Sequence, residues 1–534
     1  MRSSGRAVIV LLTLAYVGLA GAAVVDDRFL HDEGLLTRLL AALVGREPMA
    51  ALFLQKARPP LAALYAPVAS MPLSVFLWAH VLVAALAVPL TAATARTLGH
   101  PRPELAAAVV ALSPMFIAAG ASGLMNSDAV VGVAAFAWCW SRGRLLTAGI
   151  VMGALVWVRA ELAVLALAYA AWSAWDRKPR AWIGLAAFPV VYGLAGALYH
   201  GDLLWMVHFP PALSRPMEDN PFWDHQTAAS MPMVVGAVLA VTPAVVWLGL
   251  WRARDAHVVE RVGLAAVVVL AVALVVLPRW RVFNFDTSPR YLLPILPFVA
   301  LAVARVLSSL GPDAATPGGW RRGLGLGLAA ALALVSERLG GGPWALIAVA
   351  VAAMAVVLGG AGWSTASRLV AAGLVAAGPL AFGSGARLAR RQQAGVLDQM
   401  VVRLAEHPEW EDRPLFTNAP LLSAYLERSG GLPGRDVRYM VQADQLYELT
   451  TLSNPANGQR ARLLSALGEG FHGRPVFPDA LSPETIPPDA VFVLTEDPRL
   501  ALVMPPARWS SVLRVVHRGR GMTIAVRRDE ESAR

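Results

Sequence analysis

The stretch that decides the fold is AVIVLLTLAYVGLAGAAVV, Ala7–Val25, which runs for about 19 residues without a charged side chain. A helix of that length spans a hydrocarbon core of about 30 Å, and uncharged runs of similar length recur as far as residue 385. Backbone groups left unpaired in lipid are costly, so each run is predicted to be a transmembrane helix. The pattern indicates an all-α polytopic membrane protein.

The composition of the 534-residue chain supports this prediction, because 57% of its residues are hydrophobic and only 15% are charged. Soluble domains carry about 25% charged residues, which disfavours a soluble helical core. The net charge of +10 does not point to nucleic acid, since the basic residues stand mostly in short loops, where the positive-inside rule expects them. The one cysteine, Cys139, lies in an apolar run and is interpreted as a packing residue.

About thirteen spans are predicted, the first of them an uncleaved span rather than a signal peptide, because its apolar run is long for a signal. With the N-terminus in the cytoplasm, the C-terminal residues fall on the extracytoplasmic side. The outside loop 26–72 has leucines at helical spacing, which predicts interfacial helices. The predicted spans are roughly 7–25, 73–95, 104–121, 127–141, 145–158, 160–175, 182–199, 230–251, 261–278, 291–308, 322–337, 343–360 and 366–385.

The composition changes after residue 385, so the chain is divided into a membrane domain, 1–385, and a small extracytoplasmic α/β domain, 386–534. A helical pattern covers 394–406, and strand-like runs cover 437–441, 490–494 and 523–526. No P-loop, dinucleotide-binding turn or nucleophile elbow is present in the sequence, so this domain is expected to support binding rather than chemistry.

Charged residues near the predicted outside surface are the candidates for chemistry. His31-Asp32-Glu33 follows the first span, and acids so close to a membrane are often functional, although a solvated helix-capping cluster is the alternative. Lys56 and Arg58 precede a Pro-Pro pair on the same side, against the positive-inside trend. They are candidates for binding phosphate, with an interfacial anchor as the alternative.

Three further signals fall on the same outside face. Asn126-Ser127-Asp128 stands in a short turn between two spans, where Asp128 as a helix cap is the alternative interpretation. Arg159 and Glu161 lie between two apolar runs, and intramembrane charges are usually paired or functional. Arg290 and Tyr291 open the segment RYLLP, beside further arginines that suit an anionic lipid headgroup. Acids and cations on one face suit a carboxylate base working with a phosphate clamp.

These motifs, in this order over residues 1–310, resemble the GT-C membrane glycosyltransferases. The resemblance is greatest to the superfamily of protein O-mannosyltransferases and aminoarabinose transferases. The thirteen predicted spans and the outside C-terminal domain are similar to the layout of the aminoarabinose transferases. In the family a lysine directly precedes the two prolines, whereas here Lys56 is separated from them by two residues. The family usually has tyrosines after the Asp-Glu pair, whereas this sequence has Gly34 there. These departures concern the identity of the sugar or acceptor.

The resemblance implies a donor sugar on a polyprenyl phosphate and a lipid, glycan or protein acceptor, with inversion at the anomeric carbon. The implied catalytic residues are Asp32 as general base, with Glu33 beside it, and Asp128, which would position the acceptor or tune Asp32. The residues implied to bind the donor phosphate are Lys56, Arg58, Arg159, Arg290 and Tyr291. No cofactor is predicted, and a divalent metal is left open.

Two other classes of function remain open from the sequence. A transporter or flippase of lipid-linked sugars would need polar groups in a membrane cavity, but it predicts midplane charges and symmetry-related halves, neither of which is visible. A non-catalytic membrane assembly subunit would bind partners through the C-terminal domain. It predicts that Asp32 and Asp128 are replaceable without loss of function.

Overall fold

The computed structural model describes most of the N-terminal half of the chain and parts of the remainder. The described residues are 3–26, 32–45, 47–53, 57–208, 256–280, 289–309, 395–419, 422, 426, 436–440, 473–476, 486–495, 509–519 and 521–528. The predicted spans 230–251, 322–337, 343–360 and 366–385 lie outside the described residues, as does the predicted domain boundary near 386.

Helices dominate the described part of the membrane domain. They are α1 Ser3–Asp26, α2 Asp32–Val44, α3 Pro48–Phe53, α4 Pro59–Ala69, α5 Leu73–Ala85, α6 Ala87–Thr97, α7 Pro103–Ala111, α8 Pro114–Ala121, α9 Asn126–Ser141, α10 Leu145–Leu155, α11 Ala163–Trp175, α12 Pro179–His200, α13 Trp205–His208, α14 Val258–Trp280 and α15 Leu296–Ser309. Short 3-10 helices cover Ala160–Leu162, Pro289–Ile295 and Pro408–Trp410.

Three helical segments of the described residues are long and apolar enough to cross a membrane: Gly5–Val25, Leu73–Thr97 and Pro179–His200. The predicted span 104–121 corresponds to a pair of helices, α7 and α8, bent by 57° where Pro114 interrupts the backbone hydrogen bonding, so it is either a broken span or a re-entrant loop. The predicted spans 145–158 and 160–175 correspond to shorter apolar helices, so the described residues do not confirm a count of thirteen.

Contacts divide the described residues into two compact units. The first unit contains the described residues within Met1–Asp26, Leu77–Gly193 and Ser214–Leu388. The second unit contains the described residues within Asp27–Phe76, Leu194–Leu213 and Ala389–Arg534. The candidate residues Asp128, Arg159, Arg290 and Tyr291 therefore belong to the first unit, whereas those from 32 to 58 belong to the second.

Glycines bring α10 and α12 of the first unit into close contact. A Cβ atom on Gly149 would overlap the backbone from Ala181 to Leu185, and one on Gly153 would overlap the Leu185 carbonyl oxygen. Small residues of this kind let helix backbones approach each other in membranes. Because the contacts advance along both helices together, α10 and α12 run parallel, and their first turns lie at the same end.

Helices α2, α3 and α4 of the second unit occupy the loop 26–72 in which interfacial helices are predicted. Arg38, on α2, donates hydrogen bonds from Nε to the Ala69 carbonyl (3.0 Å) and from Nη2 to the Met71 carbonyl (2.8 Å). These carbonyls belong to the end of α4 and the turn after it, where helices leave acceptors unpaired. Arg38 thereby fastens α2 to α4.

The C-terminal part of the second unit contains a six-stranded sheet of order β3-β2-β1-β4-β6-β5. The first four strands in this order are parallel, and β6 pairs antiparallel with both β4 and β5. Helix 395–405 contributes Leu397, Met400 and Leu404 to the core against this sheet. The strands are β1 Leu415–Thr417, β2 Val437–Met440, β3 Gly473–Val476, β4 Val491–Thr495, β5 Leu513–Gly519 and β6 Met522–Arg527.

The α/β character predicted for the C-terminal residues is confirmed. The helix at 394–406 and the strands at 437–441, 490–494 and 523–526 all appear within a residue or two of the predicted positions. Strand β5 is absent from the prediction, because Arg514, His517 and Arg518 interrupt the run of apolar residues that would indicate a strand. It lies at the edge of the sheet, where charged side chains remain solvated.

Candidate functional site

The site of the first unit begins at the first turn of α9, where Asn126, Ser127 and Asp128 are all buried. Gly123, with φ of 71°, makes the turn that ends α8 and allows α9 to start. Met125 occupies the N-cap position, so Asp128 lies inside the helix rather than at its cap. The interpretation of Asp128 as a capping residue is therefore wrong.

The Asp128 carboxylate instead meets His80 of α5. The His80 Nε2 atom is 2.8 Å from Asp128 Oδ2, and its Nδ1 atom is 2.9 Å from the carbonyl oxygen of Gly120. Because a carbonyl only accepts, Nδ1 carries the hydrogen of that second bond. The first bond then joins either an imidazolium to a carboxylate or a neutral imidazole to a carboxylic acid. In both cases the buried pair is neutral overall.

The wall around this pair is formed by Tyr16, Phe116 and Gly120. The Tyr16 and Phe116 rings stack at 4.8 Å, and Tyr16 Oη donates a hydrogen bond to the Phe116 carbonyl at 3.4 Å. A Cβ atom at position 120 would collide with Tyr16 Oη. A side chain there would push apart α1 and α8 and move the carbonyl that orients His80.

Arg159 and Glu161 form the buried ion pair expected for intramembrane charges. Arg159 Nε lies 2.7 Å from Glu161 Oε1, and each residue is only 5% exposed. Arg159 has extended backbone at the start of the 3-10 helix Ala160–Leu162. This helix places the Glu161 carboxylate beside the Arg159 guanidinium, so the two charges compensate each other.

Tyr291 connects this ion pair to the segment Pro289–Ile295. The guanidinium carbon of Arg159 lies 5.1 Å from the centroid of the Tyr291 ring, and that of Arg290 lies 5.3 Å from it. Both distances are within cation–π range. The ring thus holds two arginine side chains close together, although their charges repel.

Asn126 attaches α9 to the same segment. Its Nδ2 donates a 2.7 Å hydrogen bond to the Arg290 carbonyl, while its buried Oδ1 has no hydrogen-bond partner among the described residues. The structure therefore brings together four of the residues selected from the sequence: Asp128, Arg159, Arg290 and Tyr291. It adds His80, which the sequence analysis did not select, and it gives a role to Asn126 of the selected turn Asn126-Ser127-Asp128.

The remaining candidates that the structure describes lie in the second unit. Arg58 is half-buried at the N-cap position of α4, ahead of prolines at the first helical positions, as the Pro-Pro pair predicts. Glu33 is half-buried in the first turn of α2, where its carbonyl accepts a hydrogen bond from Thr37 Oγ1 at 2.8 Å. Lys56 and the side chain of Asp32 lie outside the described residues. That all the candidates lie on one outside face stays a prediction.

Chemically, the first-unit cluster presents cationic guanidinium groups and a shared Asp–His proton in a largely buried setting. Fixed charges of this kind are much more effective on a developing anion than charges in water. Among the described residues, no group of three or more His, Cys, Asp or Glu side chains is placed to hold a metal ion.

Comparison with known proteins gives no matching family model and no matching curated protein. Two solved structures match over nearly the whole chain. ArnT from Cupriavidus metallidurans in the apo state has 16% identity and a TM-score of 0.58, over 98% of each chain. The same protein bound to undecaprenyl phosphate has 15% identity and a TM-score of 0.54, over 97% of each chain. This chain therefore has the fold of ArnT over nearly its whole length.

Proposed function

We propose, from the fold that this chain shares with ArnT over nearly its whole length, that it is a membrane glycosyltransferase. It moves a sugar from a polyprenyl-phosphate carrier to an acceptor hydroxyl at the extracytoplasmic face. The solved ArnT complex with undecaprenyl phosphate supports a lipid phosphate as the carrier. The fold also supports membrane integration, together with the apolar spanning helices.

The observation that carries the proposal is the placement of Arg159 and Arg290 against Tyr291, beside the α9 turn that bears Asp128. A polyprenyl phosphate leaves as an anion, and guanidinium groups neutralise phosphate oxygens through paired hydrogen bonds. Arg159 is paired with Glu161, and Arg290 is proposed as the second guanidinium group that meets the phosphate. Arg58 and Lys56 are proposed as further residues that bind the donor phosphate.

The proposed reaction is a single displacement. The acceptor oxygen attacks the anomeric carbon as the bond from that carbon to the phosphate oxygen breaks, which inverts the configuration. Asp32 takes the hydroxyl proton, and the electron pair of the broken bond leaves with the polyprenyl phosphate. The positive charge of the arginine cluster stabilises the leaving phosphate as its charge develops.

The test is transfer by the purified full chain in detergent or nanodiscs, with a panel of polyprenyl-phosphate sugars as donors. Appearance of free polyprenyl phosphate together with a glycosylated acceptor is the expected result. Accumulation of donor on the opposite side of sealed vesicles, without cleavage, would instead identify a flippase. If the protein neither cleaves nor translocates the donor, and if every candidate carboxylate can be replaced without loss of function in cells, the protein is an assembly subunit.

Replacing Arg290 by alanine is expected to weaken donor use by about 10- to 100-fold in kcat/KM, because a hydrogen bond to a charged group contributes about 1.5–3 kcal/mol. Arg58→Ala is expected to lower kcat/KM for the donor to a similar extent. Arg261→Ala is the matched control, since Arg261 is exposed at the start of α14, and it should transfer normally. Unchanged donor dependence in both site variants would place the phosphate site elsewhere.

A further inference from the structure

Two turns of the first unit carry exposed cations that the transfer reaction does not use. Arg142 and Arg144 lie between α9 and α10, and Arg177, Lys178 and Arg180 lie at the turn from α11 to α12. All five are exposed. Asp176 is the one acid within these two turns, so the local charge is strongly positive.

The helix packing brings both turns to one end of the first unit. Helices α10 and α12 run parallel in close glycine contact, so the cations before α10 lie beside those before α12. Tyr169, at the middle of α11, donates a hydrogen bond from Oη to the Leu145 carbonyl at 3.0 Å. This bond fixes α11 against the beginning of α10.

Tryptophan side chains accompany the cations. The guanidinium carbons of Arg142 and Arg144 lie 5.3 Å and 5.8 Å from the Trp138 ring centroid. Trp175 is 88% exposed and Trp182 is 46% exposed. Exposed tryptophan beside arginine at a helix end is typical of the membrane–water interface, where the ring meets the acyl boundary and the cation meets the headgroups.

Apolar side chains continue outward from this end of the helices. Leu146 and Ile150 on α10, and Ile183 and Val190 on α12, are all exposed. A surface that changes from cations to tryptophan and then to exposed aliphatic side chains matches the layers of a lipid leaflet. A nucleic acid would meet the cations but would leave the aliphatic layer uncovered.

We propose that the five cations, with Trp138, Trp175 and Trp182, form a surface that binds the headgroups of anionic phospholipids. The headgroup phosphates pair with the arginine and lysine side chains, and the tryptophan rings lie against the first acyl carbons. This surface is independent of the proposed sugar transfer, because none of its residues belongs to the candidate site.

The experiment measures binding of fluorescent phosphatidylglycerol and of phosphatidylcholine, each diluted in neutral detergent micelles, to the purified full chain. Tighter binding of phosphatidylglycerol is expected, and it should weaken at high salt. Arg142→Gln/Arg144→Gln should weaken it by about 25-fold, at about five-fold for each cation removed near a membrane surface. A triple variant with glutamine at 177, 178 and 180 should weaken it further.

Arg514→Gln/Arg518→Gln is the matched control, since it removes the same charge from exposed positions on strand β5 and should bind phosphatidylglycerol normally. Equal binding of the two lipids, or equal loss in the control, would overturn the proposal. Tighter capture of single-stranded RNA than of phosphatidylglycerol micelles would also overturn it. Lipid binding is read directly, so a failed transfer assay leaves this result unaffected.

Discussion

Asp32→Asn is expected to abolish sugar transfer while the protein still inserts into the membrane and binds undecaprenyl phosphate. Asparagine keeps the shape of the side chain but removes the proton acceptor, and a general base contributes about 10²–10⁴-fold to the rate. Helix α2 begins at Asp32, and asparagine is as good as aspartate at a helix start. A purely structural role would therefore tolerate this substitution.

Glu33→Gln is the matched control for the base. Residue 33 projects about 100° away from residue 32 on the same helix, so the two carboxylates should not be interchangeable. We expect the Glu33 variant to keep most of its transfer activity. Near-normal transfer by the Asp32 variant, with purified donor, would remove Asp32 from catalysis and leave Glu33 and Asp128 as candidates.

His80→Leu is expected to lower the stability of the protein by about 2–6 kcal/mol, because it removes the hydrogen bonds of two buried polar groups at about 1–3 kcal/mol each. His80 is fully buried, and its two ring nitrogens are bonded to Asp128 and to the Gly120 carbonyl. Leucine cannot replace either bond, and the carboxyl group remains in the interior. Thermal unfolding in detergent, followed by circular dichroism, measures the loss.

Asp128→Asn should cost little stability on its own, because the amide can donate to Nε2 of a neutral His80. In the His80→Leu background the same change should raise stability, since a buried amide is less costly than a buried carboxylate. The control is His208→Leu, which breaks a solvent-exposed His–Asp contact with a side chain 55% exposed and should change stability by less than about 1 kcal/mol. Similar losses for the two histidine variants would contradict a structural role for the buried pair.

The same variants decide what Asp128 does in the reaction. The sequence analysis assigns it to acceptor positioning or to tuning of Asp32 through a second carboxylate charge. Asp128 pairs with His80 in the structure, and tuning of Asp32 by Asp128 stays a prediction. Normal stability with lost transfer in Asp128→Asn would support acceptor positioning, and normal transfer would make the pair structural.

The membrane character, the GT-C resemblance and the α/β C-terminal part followed from the sequence, because length and period of apolar runs depend only on neighbouring residues. Local chemistry also marked Arg159 with Glu161, two residues apart, and the Pro-Pro start of α4. Strand β5 and the bend between α7 and α8 were missed where charges or a proline obscured the local pattern.

The partners of the buried polar groups were decided only by the tertiary structure. His80 is 48 positions from Asp128, and Asn126 is 164 positions from the Arg290 carbonyl it binds. In the sequence, His80 is a single polar residue in an apolar span. No neighbouring residue indicates which helix will provide its hydrogen-bond partner. Burial makes such partners obligatory, whereas helix packing through small residues such as Gly120 and Gly149 determines which residues meet.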